Sequence, residues 1–205
     1  MTNTACIFPG QGSQELGMGK VFYDNFAVAK EVFQEVDDAL NHKLSQVIFG
    51  DDADALTLTE NAQPAIMATS MAIFRTLVQE AGFNLKNSAK YVAGHSLGEY
   101  SALCAAGSLS LSDTAQLLQL RGRSMQQAAP KGYGTMAAIL GLEVEDIEAL
   151  LAELATDGVC EIANDNAAGQ VVISGERVAV EAAMQAAKDK GAKRAIELNV
   201  SAPFH

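Results

Sequence analysis

The stretch YVAGHSLGEYSAL, residues 91 to 103, sets Ser96 between Gly94 and Gly98, with His95 just before it. A serine hydroxyl is a weak nucleophile until a base takes its proton and a pair of donors receives the charge that develops on attack. Gly-x-Ser-x-Gly is the pattern of a strand-to-helix turn too tight for side chains on either side of the serine. Such a turn lifts the hydroxyl clear of the backbone. It also sets the Leu97 N–H at a helix N-terminus, where negative charge is stabilised. The same pentapeptide occurs where two glycines only close a turn, so on its own it leaves both readings open.

The base must come from elsewhere in the chain. His95 leaves the strand on the opposite face from Ser96, which suits a structural or supporting role. His42 falls at the end of a helical stretch among charged residues and fits a surface or capping position. His205 follows Val200 and the stiff Ala202-Pro203-Phe204, which would fix where its ring points. By composition alone it is no more than a terminal histidine. The three histidines show no helical pairing and the three cysteines (Cys6, Cys104, Cys160) no CxxC spacing, so no metal site is expected. Each cysteine has apolar neighbours, the pattern of buried free thiols in a reducing compartment.

The elements that would position these groups follow from periodicity. Thr4 to Phe8 reads as a buried strand closed by Pro9-Gly10, followed by the glycine-rich QGSQELGMG. Residues 24 to 41 carry Phe26, Val32, Phe33, Val36 and Leu40 at helical spacing. Asn61 is a candidate N-cap for a long helix stopping near Gly82. Tyr91 to Ala93 is the next strand and Leu97 to Ala106 the next helix. Ser112 or Asp113 would cap a further helix, ended by Pro130. Beyond it the expected order is strand 135–140, helix 143–155, strand 159–163, the turn-rich NDNAAG, strand 170–174, helix 176–190 and strand 194–198. That order is the one found in ferredoxin-like units. The expected fold class is α/β, a parallel-sheet, hydrolase-like core with a small ferredoxin-like α+β subdomain. The core would span 1–130 and the subdomain 131–199, with 200–205 returning to the core.

Of the 205 residues, 49% are hydrophobic and 19% charged, a globular composition rather than a disordered one. No apolar run is long enough to span a membrane, and MTNTACIFPGQG lacks the build of a secretory signal. A formal charge of −11 disfavours nucleic acid as a partner. A cytoplasmic protein is expected.

FPGQGSQ at 8–14, GHSLGEYSAL at 94–103, LRGRSMQ at 120–126 and SAPFH at 201–205 occur together and in this order. With TENAQPAIMATSMAIF, NDNAAGQVVISG and KGAKRAIELNVSAPFH between them, the chain closely resembles the malonyl-CoA:acyl carrier protein transacylases of fatty-acid synthesis. More broadly, it resembles the acyltransferase domains of polyketide synthases. The resemblance covers the whole chain and corresponds to the N-terminal two-thirds of such proteins. It implies Ser96 as the nucleophile that carries the acyl group and His205 as its general base, then acid. It further implies an oxyanion hole from the backbone N–H groups of Gln11 and Leu97. Arg121 matches the arginine that grips the malonyl carboxylate, although on residue type alone it is no more than a helix-face arginine, as Arg123 is. Gln63 matches a glutamine near the pocket, and otherwise reads as a polar residue at a helix start.

The implied partners are malonyl-CoA and acyl carrier protein, with no cofactor, nucleic acid or membrane. Lys188, Lys190, Lys193 and Arg194 form the densest basic cluster. It is read as a solvated face before a docking patch for an acidic carrier. The remaining third of such proteins is expected to complete the core and orient the imidazole, so these 205 residues alone are expected to be inactive. Two other readings share these residues. A serine hydrolase of thioesters has no need of Arg121, and a carrier-binding module without activity has no need of an intact Ser96, His205 and Arg121.

Overall fold

A computed structural model describes residues 4–128, 132–154, 158–198, 200 and 202–205. The expected helix stop at Pro130, the expected helix end at 155, the 130/131 boundary and Ser201 lie outside the described residues. The fold is mixed α/β, and the chain divides into two compact units, Met1–Ser124 and Met125–His205.

The first unit opens with β1 (Ala5–Phe8), followed by α1 (Lys20–Asn25), α2 (Ala27–Leu40), α3 (Leu44–Phe49), α4 (Ala53–Thr57), α5 (Thr59–Glu80) and α6 (Leu85–Ser88). Then come β2 (Tyr91–Gly94), α7 (Gly98–Ala105) and α8 (Leu111–Gln127), whose last turn carries the division between the units. β1 and β2 pair in parallel, with Phe8 opposite Gly94, so their C-terminal ends lie side by side. A parallel pair needs a long crossover, and α1 to α6 supply it. The core is helical. Val32, Phe33 and Val36 of α2 pack with Leu44, Ile48, Met67, Met71, Leu97 and Leu118.

Several expectations need correction here. The single helix over 24–41 is two, broken at Phe26, whose extended backbone ends α1 and starts α2. The long helix α5 begins before Asn61, after Leu58, and Asn61 instead donates through Nδ2 to Ala55 O at 2.9 Å. Neither Ser112 nor Asp113 caps α8. Ser110 Oγ accepts the Asp113 N–H at 3.0 Å and donates to its carboxylate at 2.6 Å, a reciprocal cap one residue before the helix.

In the second unit, β3 (Gly134–Leu140), α9 (Val144–Glu153), β4 (Cys160–Ala167), β5 (Gln170–Glu176), α10 (Arg177–Asp189) and β6 (Arg194–Glu197) form an antiparallel sheet in the order β4-β5-β3-β6. Ala137, Ile139, Val171 and Ile173 face Ile147 and Leu150 of α9 and Val180 and Ala183 of α10. NDNAAG is mostly strand rather than turn. β4 continues through Ala167 by means of two register shifts, leaving only Ala168-Gly169 to reverse the chain. No described helix is long and apolar enough to cross a membrane. Cys6, Cys104 and Cys160 are free, but only Cys104 is buried, the other two being partly exposed.

Candidate active site

Ser96 sits in the turn between β2 and α7 with φ 53°, a left-handed conformation that non-glycine residues adopt at a cost of about 1–3 kcal/mol. The glycines around it explain how that strain is held. A methyl group on Gly98 would lie 2.4 Å from Phe8 O and 2.7 Å from Pro9 O, so the start of α7 rests directly on the end of β1. A methyl on Gly94 would lie 1.9 Å from the Gly98 carbonyl carbon. Hydrogen bonds close the turn, from Gly98 N to His95 O at 2.9 Å and from Glu99 N to Ser96 O at 3.2 Å. Leu97, with its side chain wholly buried, pins the helix start into the core.

The second glycine-rich turn lies beside it. Its residue Gly10 packs so closely on His95 that an added methyl would meet the ring Nδ1 at 2.4 Å. His95 N donates to Phe8 O at 3.1 Å, so His95 joins the two turns through its backbone and packing. Gln11 follows in the first residues after β1, partly buried. Its loop is tied by Ser13 Oγ donating to Gly10 O at 2.8 Å and Gly12 N donating to Gln14 Oε1 at 2.7 Å.

Arg121 reaches Ser96 from α8. The approach depends on Gly122, where an added methyl would lie 2.6 Å from Thr59 O, so α8 crosses the first turn of α5 in backbone contact. One residue on, Arg123 turns outward to pair with Glu60 at 2.7 Å. Arg121 turns inward. Its Nη1 donates to Gln63 Oε1 at 2.6 Å and its Nη2 donates to Ser96 Oγ at 2.9 Å. Gln63 is completely buried in a run of α5 that is buried from Ala62 to Ala68, where a polar group needs a partner.

Burial lowers the Arg121 pKa, while Tyr100 and Glu99 act to raise it. The guanidinium carbon lies 5.8 Å from the centre of the Tyr100 ring. Among the described residues no carboxylate pairs with Arg121. Tyr100 was not singled out from the sequence. Its signal is its place in the first turn of the helix that follows the serine turn, four residues after Ser96. The structure therefore gathers Ser96, Arg121, Gln63 and Tyr100 in the first unit.

His205 belongs to the second unit, with φ 58° and an exposed side chain. Phe204 and Ala202 are buried with Met136 and Val172, and Pro203 fills space that Gly134 leaves open, since a methyl there would lie 2.3 Å from Pro203 Cγ. The segment before the histidine is thus anchored on β3. His42 follows α2, exposed, its N–H donating to Asp37 O at 3.1 Å. In the basic cluster, Lys190 pairs with Glu153 at 2.6 Å.

Residues 5–205 match the family described as acyl transferase domain. The chain is 48% identical to the malonyl CoA-acyl carrier protein transacylase of Bacillus subtilis (strain 168), over 100% of this chain and 63% of that protein. It is similar in structure to acyl-carrier-protein-S-malonyltransferase from Bartonella henselae, with 58% identity and a TM-score of 0.95 over 100% of this chain and 65% of that one. A malonyl-transacylase solved in complex with a type II PKS acyl-carrier protein matches at 42% identity and a TM-score of 0.92, over 98% of this chain and 64% of its own. The chain spans less than two thirds of the length of these relatives.

Proposed function

Because the chain belongs to the acyl transferase domain family, we propose that it forms part of an enzyme of fatty-acid synthesis. That enzyme moves a malonyl group from malonyl-CoA to the phosphopantetheine thiol of acyl carrier protein. The observation that carries this reading is the Arg121 fork at the Ser96 hydroxyl, 2.9 Å from Oγ. A hydrolase of simple esters has no use for a half-buried cation at its nucleophile, whereas an acyl group ending in a carboxylate does.

In this reading Ser96 Oγ attacks the thioester carbonyl of malonyl-CoA while His205 takes its proton. The oxyanion rests on the backbone N–H groups of Gln11 and Leu97, where it is stabilised without reorganisation. The carbon–sulfur bond breaks and CoA leaves as the thiol, with the proton returned by His205. The carrier thiol then attacks the malonyl-serine ester, His205 accepts the thiol proton, and Ser96 is regenerated. Arg121 holds the carboxylate through both steps, with Gln63 setting its fork. Each step is an acyl or proton transfer, which these groups complete without a resident cofactor.

The same reading extends to the fold and the compartment. The strand order β4-β5-β3-β6, with α9 and α10 on one side of the sheet, supports a ferredoxin-like subdomain over 131–199. The parallel β1–β2 pair feeding a serine turn supports a hydrolase-like core over 1–130. The compartment of such an enzyme is the cytoplasm.

Intact-mass spectrometry of the complete protein with malonyl-CoA tests the function. One malonyl adduct is expected, absent from Ser96→Ala and lost to acyl carrier protein when that is added. Release of free malonate without transfer would make it a thioester hydrolase. A protein that neither gains mass nor consumes malonyl-CoA would refute both.

A further inference from the structure

Building on that reading, we propose that the Arg121–Ser96 hydrogen bond is a latch that holds the nucleophile idle until a carboxylate claims the guanidinium. Nη2 donates to Oγ at 2.9 Å, which engages an oxygen lone pair of the kind that must attack a carbonyl and draws electron density towards a cation. The other arm of the fork is committed to Gln63 Oε1 at 2.6 Å. Both of these acceptors are neutral, and no carboxylate pairs with Arg121 among the described residues. A carboxylate accepts from guanidinium about twice as strongly as a neutral oxygen and engages two parallel N–H groups at once.

A malonyl group therefore takes Nη2 away from Ser96 as it binds, and the hydroxyl is released by the substrate it is meant to attack. An acyl group without a carboxylate leaves the latch closed. Discrimination then arises in the chemical step as well as in binding. Once the malonyl ester has formed, the carboxylate still occupies the fork.

The test is the rate at which phenylmethylsulfonyl fluoride, a neutral reagent, modifies Ser96 in the complete protein, followed by mass spectrometry. Arg121→Met keeps most of the side-chain volume and removes every donor. It should be modified at least about tenfold faster than wild type, the scale set by a hydrogen bond to a charged group. Acetate ion, at constant ionic strength, should speed modification of the wild-type protein by occupying the guanidinium. If Arg121→Met lacks a cooperative thermal transition, the acetate series alone decides.

A folded Arg121→Met that reacts no faster than wild type overturns the latch, because the cation would then be neutral or activating. Wild-type labelling that acetate leaves unchanged overturns it too. The malonyl adduct is measured on the same protein. If it forms while labelling shows no effect, the latch alone fails. If it never forms although Ser96 is labelled, the transferase reading fails, and the labelling rates still decide whether Arg121 restrains the serine.

Discussion

Gln63 Oε1 accepts from Arg121 Nη1 at 2.6 Å from a position with no solvent exposure. A buried amide on α5 thereby holds one arm of a guanidinium carried by α8, and the other arm is left pointing at Ser96. No carboxylate pairs with the cation among the described residues, and Glu99 acts on it only through space. Such an arginine is poised for an anionic ligand rather than satisfied within the protein.

Arg121→Ala in the complete protein is therefore expected to lower malonyl transfer by about 3 to 5 kcal/mol of transition-state stabilisation, the scale for breaking a buried charge pair. Acetyl transfer should fall little or rise, because the unpaired charge is gone. The ratio of kcat/KM for malonyl-CoA and acetyl-CoA measures this. Equal losses for both would mean that Arg121 supports the fold or the CoA moiety.

Gly98→Ala places a methyl group 2.4 Å from the Phe8 carbonyl oxygen, and no rotamer can relieve a main-chain collision. A loss of about 1 to 3 kcal/mol in unfolding free energy is expected, the usual cost of overpacking. Urea denaturation measures it. A stability equal to wild type would show that α7 can lift off β1 freely.

Ser101 Oγ on α7 is buried without a hydrogen-bond partner among the described residues. Ser101→Ala removes a desolvated hydroxyl and should raise stability by about 1 kcal/mol. A comparable loss in the same denaturation experiment would reveal a partner, such as an internal water.

Burial pushes the Cys160 thiol up to about 11 from 9.0, with the Glu161 carboxylate adding to the shift. The folded state thus holds this proton more tightly than the unfolded chain. Its contribution to stability is complete below pH 9 and is lost as pH rises towards 11. Unfolding free energy measured from pH 8 to 11 should fall more steeply for wild type than for Cys160→Ala. Parallel curves would show that the thiol titrates alike in both states.

How much of this was legible beforehand depends on the length of the signal. The order of the second unit's helices and strands is legible in the sequence, except that β4 runs four residues past its expected end into NDNAAG. Helices α3, α4 and α6, of six, five and four residues, are too short to show a period and were not anticipated. The break at Phe26 was hidden because Phe26 packs on the same core as its helical neighbours. Ser96 was visible through its flanking glycines. Arg121 and Arg123 were not distinguishable by residue type. Only the backbone contact at Gly122 decides which of them turns inward, and that contact joins residues about sixty positions apart. Gln63 is singled out by the family resemblance, but its complete burial comes from helices that its local sequence does not specify.

On the transferase reading proposed above, the main-chain packing of Gly94, Gly98 and Phe8 also limits how acyl preference can diversify. Any side chain at 94 or 98, however small, displaces the peptide that carries the serine, so drift at those codons is closed by geometry. Positions 63, 100 and 121 lie on two other helices and at the second residue after Gly98, where side chains touch side chains and can be exchanged against one another. A combinatorial library for altered substrate choice should therefore freeze 94 to 98 and randomise those three together. In such a library most folded clones would keep the nucleophile in register while the pocket around it varies.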